Sequence, residues 1–394
     1  MDNTKEGIMK NPFIYGPVVS GDQFLDRESE VSMITRALLS GQNIICYSPR
    51  RYGKTSMMMR IKEELAAKGH LVFFIDLFRV TSLEDLYNIY ATSIVEEIRS
   101  PIKALIETIR NILPSINPKI VIKSRNAPTV EVSVPIPVLT KSETLHELFN
   151  SLEIYCTRKK KKGTVIFDEF QEVASIKDGN VIEREMRSAF QHHKNVSYAF
   201  LGSKQNLLKG LFKNKNRPFY NFGRHFEIDV IKSDHWRDFI ANRLGSLCPK
   251  ELIRKIPEIT ENHPYYTQML CHYLWDYAKQ NKCLINADVL EKVIQEIIER
   301  DTVLLAELWD RISINERHLL KAIAEEETGS LYETRFLLKH NLGSASSVQK
   351  AASKLMELDY IRKLPSGKIA FINPILKQWI IRNESPVKNP YFEE

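Results

Sequence analysis

The apolar run NIICY (43–47) leads directly into the turn SPRRYGKTS (48–56), and a helical pattern follows over 56–66. A buried strand that bends through a glycine-lysine turn into a helix leaves few folds open. Such a bend gathers backbone N–H groups at a helix N-terminus, the arrangement that grips a chain of phosphates. Gly53 lets the backbone pass close to the anion, Lys54 brings a compact charge to its outer oxygens, and the Thr55 hydroxyl is suited to Mg2+. The usual pattern, G-x-x-x-x-G-K-[ST], is broken at its first glycine by Ser48. Ser48 is small and stands at the strand end, so its Cβ is tolerated if φ is negative there. Pro49 has no N–H, but the donors come mainly from later residues of the turn. The expected phosphate cradle is therefore Ser48, Pro49, Arg50, Arg51, Tyr52, Gly53, Lys54, Thr55 and Ser56. Arg50 and Arg51 either approach phosphate oxygens or brace acidic residues behind the loop, and bracing is expected for at least one.

A second element supports the first. GTVIFDEF (163–170) is an apolar strand ending in two carboxylates. Asp168, at the strand end, is expected to bind Mg2+ directly or through water, and Glu169 to polarise an attacking water as general base. Ser203 closes the strand VSYAFLGS (196–203), where a polar group falls between the two loops. It either senses the terminal phosphate or caps the next helix. Arg224 opens the segment RHFEIDVI (224–231), read as a further strand, and is the candidate to reach transition-state charge from its own or a neighbouring subunit; Arg217 is its competitor.

Around these motifs, 394 residues imply two or three domains. LVFFIDL (71–77) is another buried strand, and helical stretches cover 82–99, 143–157 and 181–193. Strands alternating with helices predict an α/β domain with a parallel sheet flanked by helices over 1–232. Residues 101–140 interrupt that rhythm as an insertion, with a hairpin around Asn126-Ala127-Pro128. RKKKKG (158–163) reads as a solvated turn. Residues 233–300 are helical throughout. From 301 to 384 the order is helix, helix, helix, wing: Ser313 and Glu316 form a capping box, a helix covers 331–339, Ser344 or Ser346 opens the next, and YIRKL-PSGK-IAFI forms the wing. Asn373-Pro374 starts a last helix, and 385–394 is a tail. The five cysteines show no metal-ligand spacing, the first residues carry no apolar leader, and no run is long enough to cross a bilayer, so a cytoplasmic protein is expected. A net charge of +7 is compatible with a polyanionic partner without requiring one.

These residues together resemble the archaeal-type ATPases of the STAND branch of AAA+-related P-loop NTPases. NPFIYGPVVSGDQFLDRESEV (11–31) is similar to the family's entry motif, with Phe24, Arg27 and Glu30 in its spacing. In relatives this region lies beside adenine, which implies Pro17, Phe24 and Arg27 as nucleotide contacts; Pro17 and Phe24 are suited to walling an apolar slot, and Asp26 to capping a helix. SPRRYGKTS departs from the family's G-P-R-R-x-G-K-T-S only at Ser48. PFYNFGR (218–224) resembles P-L-Y-G-R with two residues inserted. ENHPYYTQML (261–270) is similar to the G-H-P-Y motif that opens a lid helix, with Asn262 in place of glycine. The resemblance implies His263 and Pro264 facing the nucleotide; the alternative for His263 is a helix-start residue packed by Tyr265 and Tyr266. The implied layout is a P-loop ATPase domain, a helical lid and a C-terminal winged helix, with ATP and Mg2+ as ligands.

Lys350 and Lys354 on the helix 344–358 and Arg362, Lys363 and Lys368 on the wing, with Lys377 and Arg382 beyond, form the pattern a phosphate backbone requires, although acidic residues keep the tail's net charge low. Duplex DNA and a regulatory protein are the two partner classes, alongside self-association, and no membrane role is expected. Three functions stand: an ATP-driven regulator, a DNA-dependent ATPase resembling replication initiators, and a P-loop kinase. The kinase is weakest, since adjacent Asp168 and Glu169 suit water activation and no acceptor motif is present.

Overall fold

The computed structural model describes residues 10–19, 21, 24–98, 117–121, 129–133, 142–326, 329–364 and 366–384. The chain divides into two compact units, one of residues 27–50 and 54–228, the other of 1–26, 51–53 and 229–394.

The first unit is built on five parallel strands: β1 (Ile44–Tyr47), β2 (Leu71–Asp76), β5 (Gly163–Asp168), β6 (Val196–Gly202) and β7 (Arg224–Glu227), in the spatial order β2-β5-β6-β1-β7. Helices α1 (Glu28–Leu39), α2 (Lys54–Ala67), α3 (Leu83–Ile98), α4 (Ser142–Lys159), α5 (Gly179–Phe190) and α6 (Gln205–Lys213) connect and flank them. β1, β5 and β6 are buried at every position, which is why they read as unbroken apolar runs rather than alternating ones. Phe167 lies parallel to Tyr198 and Phe200 of the neighbouring strand, with ring planes 11° and 9° apart, so aromatic stacking ties β5 to β6. The register sets Tyr47 beside Gly202 and Asp76 beside Asp168. The carboxyl ends of β1, β6 and β5 thus come out together, at the edge where open α/β sheets bind ligands.

β3 (Asn117–Val121) and β4 (Thr129–Ser133) pair antiparallel around the expected hairpin, while its turn and the rest of the 101–140 insertion lie outside the described residues, as does the 385–394 tail. Other expectations need correction. The strand expected over 224–231 ends at Glu227: it is the sheet's edge, and beyond Ile228 the chain enters the other unit. The helix expected over 331–339 is confined to Thr334–Lys339. Asp26 caps no helix; Arg27 holds the N-cap position of α1 without a side-chain cap, and Asp26 instead pairs with His235. A 3-10 turn over Phe170–Ser175, absent from the sequence reading, follows β5.

The second unit is helical: α7 (Ser233–Leu244), α8 (Lys250–Ile259), α9 (Pro264–Asn281), α10 (Ala287–Asp310), α11 (Ile314–Glu325), α12 (Thr334–Lys339), α13 (Ala345–Glu357) and α14 (Pro374–Asn383), with the antiparallel wing β8 (Ile361–Lys363) and β9 (Ile369–Phe371). Both halves of the Ser313–Glu316 capping box form, Ser344 rather than Ser346 caps α13, and Asn373 caps α14 ahead of Pro374. One continuous apolar core runs through these helices from Trp236 to Ile381 and takes in Phe13 from the N-terminal segment. That segment is pinned to α9, where the Asn11 amide donates to the His272 carbonyl and the Tyr15 and Tyr273 hydroxyls meet at 3.0 Å.

Candidate functional site: the phosphate loop and its carboxylates

The loop begins where β1 ends. Ser48 is fully buried, outside the set of residues with positive φ, and its hydroxyl donates to the Pro49 carbonyl at 3.1 Å. The missing first glycine therefore costs no left-handed strain. Where left-handed backbone is needed, at φ 81°, the chain has Gly53, with open space on the side a Cβ would fill. Lys54 is the first residue of α2 and is buried, and Thr55 follows with its hydroxyl donating to Asp168 Oδ2 at 3.1 Å. α2 begins two residues earlier than the pattern suggested, which puts the lysine itself at the helix N-terminus.

Burial pushes the Asp168 carboxyl above its ordinary range, against the opposing pull of Lys54. Glu169 stands in the left-handed region at φ 51°, and its N–H donates to Asp168 Oδ1 at 3.0 Å. Three donors converge on Glu169 Oε2: the Ser203 hydroxyl at 2.7 Å, the Ser203 N–H at 3.2 Å and the Gln171 amide at 2.5 Å. Burial alone would raise the Glu169 carboxyl; Lys54 and these donors together hold it below the usual value. Oε2 is thereby committed, while Oε1 has no hydrogen-bond partner among the described residues and is the oxygen a water can address. A hydroxyl beside a buried carboxylate is an all-oxygen donor set, and two carboxylates against one lysine leave negative charge to spare. That combination fits a hard divalent cation such as Mg2+.

The first unit brings together Ser48, Pro49, Lys54, Thr55, Ser56, Asp168, Glu169 and Ser203. Ser203 does not cap α6, whose N-cap is Lys204; of its two expected roles, capping drops out. Arg224 is not with the group. β7 runs parallel to β1 with Arg224 level with Ile44 and Glu227 level with Tyr47, so Arg224 stands at the opposite end of the strand, ~10 Å back from the loop. It is exposed, with its guanidinium over the Phe226 ring. Arg217 is also engaged elsewhere, paired with buried Glu183. Arg27 is buried and bridged to Glu30 at 3.1 Å. Arg50 is exposed.

The remaining loop residues and the other candidates fall in the second unit. Arg51 braces no carboxylate among the described residues: it stacks on the Tyr265 ring at 4.4 Å and hydrogen-bonds Tyr266, so aromatic rings stand where an acidic partner was expected. Tyr52 is buried edge-on against His263, ring centroids 4.4 Å apart. His263 is itself buried, accepts the Tyr265 N–H at Nδ1 as the cap of α9, and packs on Tyr266; this is the helix-start alternative, with Tyr52 added. Burial, then the charges of Arg362 and Arg51, push its imidazole down to about 3, so it is neutral. Pro264 occupies the first turn of α9, Phe24 is half-buried and Pro17 exposed.

The wing departs most from expectation. Arg362 is not offered to solvent. It is buried, lies over the Tyr52 ring at 4.8 Å and donates to Asp229 at 2.6 Å. Lys377 is buried against Glu261 at 2.8 Å, and Arg382 is bridged to Glu291. A guanidinium in a core needs a carboxylate and an aromatic face, and both are supplied, so these cations are withdrawn from any DNA surface. Lys350, Lys354, Lys363 and Lys368 remain exposed, Lys354 paired with Glu357. Sequence reasoning missed Gln171 and Asp229, and it placed Tyr52 in the phosphate cradle without its packing on His263 and Arg362. The one available signal was an aromatic next to the loop glycine.

Comparison with known proteins adds an independent line. A family model described as an ATPase domain predominantly from Archaea matches residues 24–270, and one described as a probable winged helix domain matches 304–382. No curated protein matches the sequence. Among solved structures, the chain is similar to the Walker-type ATPase PABY2304 of Pyrococcus abyssi, at 16% identity over 91% of this chain and 96% of that one, TM-score 0.56. It is also similar to the Aeropyrum pernix ORC2 protein in its ADPNP-ADP complexes, at 17% identity over 90% and 92%, TM-score 0.52. At such identities the likeness speaks for the fold.

Proposed function

The chain belongs to the ATPase-domain family found predominantly in Archaea, as a P-loop ATP hydrolase, and on that premise we propose that it is a nucleotide-driven switch whose phosphate loop reports to its winged helix through Tyr52. The observation that carries the catalytic part is Glu169: one carboxylate oxygen fixed by Ser203 and Gln171, the other free, beside Lys54, Thr55 and Asp168. Lys54 takes the outer phosphate oxygens, and the amides of the bend hold the chain. Thr55 and Asp168 would hold Mg2+, which when bound would offset phosphate charge. Glu169 Oε1 orients a water toward the terminal phosphorus and accepts its proton as the bond to the bridging oxygen breaks and ADP leaves. A committed, ionised Glu169 is a weak base, and slow, switch-like turnover is the corresponding expectation.

The switching part rests on Tyr52, which is covalently part of the loop yet buried on His263 beneath Arg362 of the wing. A change in loop backbone when phosphates enter is passed to a packed ring and from there to the Arg362–Asp229 pair. The domain plan carried forward is an ATPase region to about residue 232, a lid to 300 and a winged helix to 384. Adenine contacts by Pro17, Phe24 and Arg27, an arginine given by a neighbouring copy through Arg224, and a DNA or protein partner for the winged helix belong to the same proposal. The withdrawal of Arg362 and Lys377 favours the regulator over a DNA-driven motor working through the wing.

The test is amide hydrogen exchange across 359–372 with and without a non-hydrolysable ATP analogue. Wild-type protein should change protection on binding, and Tyr52→Ala should bind the analogue but lose that response. An unchanged wing in nucleotide-bound wild type would contradict the switch.

A further inference from the structure

Away from the loop, on the face of the sheet unit, α5 and the segment 214–218 enclose an open cleft of about 600 Å3 lined by Asn180, Arg184, Arg187, Gln191, Lys215 and Arg217 among others. α5 turns Ile182, Met186 and Ala189 into the core. Arg184, Arg187 and Gln191, at spacings of three and four, then share one outward stripe. The facing wall is a turn set by Asn214, whose carboxamide accepts the Asn216 N–H at 2.9 Å and whose carbonyl accepts the Arg217 N–H at 3.0 Å.

Four cations thus face one space, and only one is neutralised: Arg217, at 2.5 Å from fully buried Glu183. Arg184, Arg187 and Lys215 have no carboxylate partner among the described residues. Arg187 is held in place, its guanidinium 4.4 Å over the Phe222 ring and bonded to the Gln191 side chain at 2.9 Å. Partial burial lowers its affinity for its proton. A fixed cation that is partly desolvated and lacks a counter-ion is stabilised by an incoming anion.

We infer that this cleft binds the phosphate backbone of a nucleic acid. Its cations and amide donors extend over ~10 Å of helix, from Arg184 to Gln191, too long a track for a single phosphate but suited to successive ones. Pro218 is the one apolar residue of the lining and no aromatic ring is part of it, so there is no large side-chain anchor for a protein segment and no face on which a base stacks; recognition is of backbone, without sequence preference. The site lies outside the nucleotide loop and outside the wing. It does not depend on the switch reading, and its test is run without nucleotide.

The full-length protein would be titrated into a fluorescein-labelled mixed-sequence DNA duplex and the corresponding single strand, from about 50 to about 200 mM salt. Wild type should bind with affinity falling steeply with salt. Arg184→Ala combined with Lys215→Ala removes two exposed side chains and should leave the thermal midpoint unchanged. It should weaken binding about tenfold or more at low salt and flatten the log–log salt slope by about 2. Arg184→Lys with Lys215→Arg, which keeps the charge, should retain the wild-type slope. Equal affinity and slope for wild type and the double alanine variant would overturn the inference, as would no binding by wild type at about 50 mM salt. A labelled polyglutamate that binds more tightly than DNA and is lost in the same variant would overturn it in favour of an acidic protein partner.

Discussion

Glu169 is where the molecule's chemistry is most finely set. It sits at φ 51°, a conformation that a glutamate adopts at a cost of order 1 kcal/mol or more, because Ser203 and Gln171 fix its carboxylate there. Glu169→Gln should therefore keep ATP bound while lowering phosphate release by at least ~100-fold, the scale of a lost general base; an unchanged rate would remove Glu169 from that role. Gly202 supplies a sharper test. A Cβ there would stand 2.3 Å from the Gln171 side-chain oxygen, so Gly202→Ala must displace the amide that positions Glu169. Turnover should fall with little change in ATP affinity, since Gln171 bonds Glu169 and Glu172 rather than Lys54 or Thr55, and a parallel loss of affinity would show a wider collapse. The Asp168-Glu169 pair was readable from residue type and order alone. What holds it was not, because Gln171 reaches Glu169 through a 3-10 turn that has no periodic signature.

Among elements, the sheet was the most legible part, for a physical reason. Strands buried on both faces are continuous apolar runs, and β1, β5 and β6 have no exposed position to blur the pattern. β7 was overextended because Phe226, Ile228 and Val230 alternate with Glu227 and Asp229, a period of two that runs past the end of the strand. The Ser313 cap was equally legible, since Ser313 and Glu316 act within a single turn, whereas Asp26, also expected to cap, pairs with His235 instead. Ser313→Ala should destabilise the winged segment by about 1 kcal/mol, read as a shift in its denaturant midpoint without loss of ATP binding. The wing itself was visible but its charges were misread. Lysine and arginine look alike in a pattern of basic residues, yet Arg362 lies under cover of Asp229 and Tyr52 while Lys363, its neighbour in the strand, points to solvent. A strand's two-residue alternation separates them; composition does not.

At the scale of the whole molecule, His263 ties folding stability to pH. Its folded value, about 3, lies far below the ordinary 6.5, so between those values the unfolded chain takes up a proton that the folded chain refuses. Folding stability should accordingly fall as pH drops from about 6.5 toward 3, by at most ~1.4 kcal/mol per pH unit from this one group. His263→Gln should flatten the slope of stability against pH by that increment, leaving the same-signed contribution of His193, whose imidazole is lowered to about 4. Urea midpoints of both proteins at several pH values measure it, and identical slopes would mean that the imidazole is not sealed beneath Tyr52. The division of the chain also bears on how much a sequence can say. The loop motif is one contiguous string, but Arg51, Tyr52 and Gly53 cluster with the helical unit while the residues on either side cluster with the sheet.

Everything rests on the bend after Tyr47 closing around a triphosphate with serine at its first position. Titration calorimetry of the full-length protein with Mg2+ and a non-hydrolysable ATP analogue tests this directly, with Lys54→Ala as the comparison. The expected result is saturable one-to-one binding by wild type that the Lys54→Ala protein loses. No heat at millimolar analogue from folded wild-type protein, or equal binding by both proteins, would contradict it.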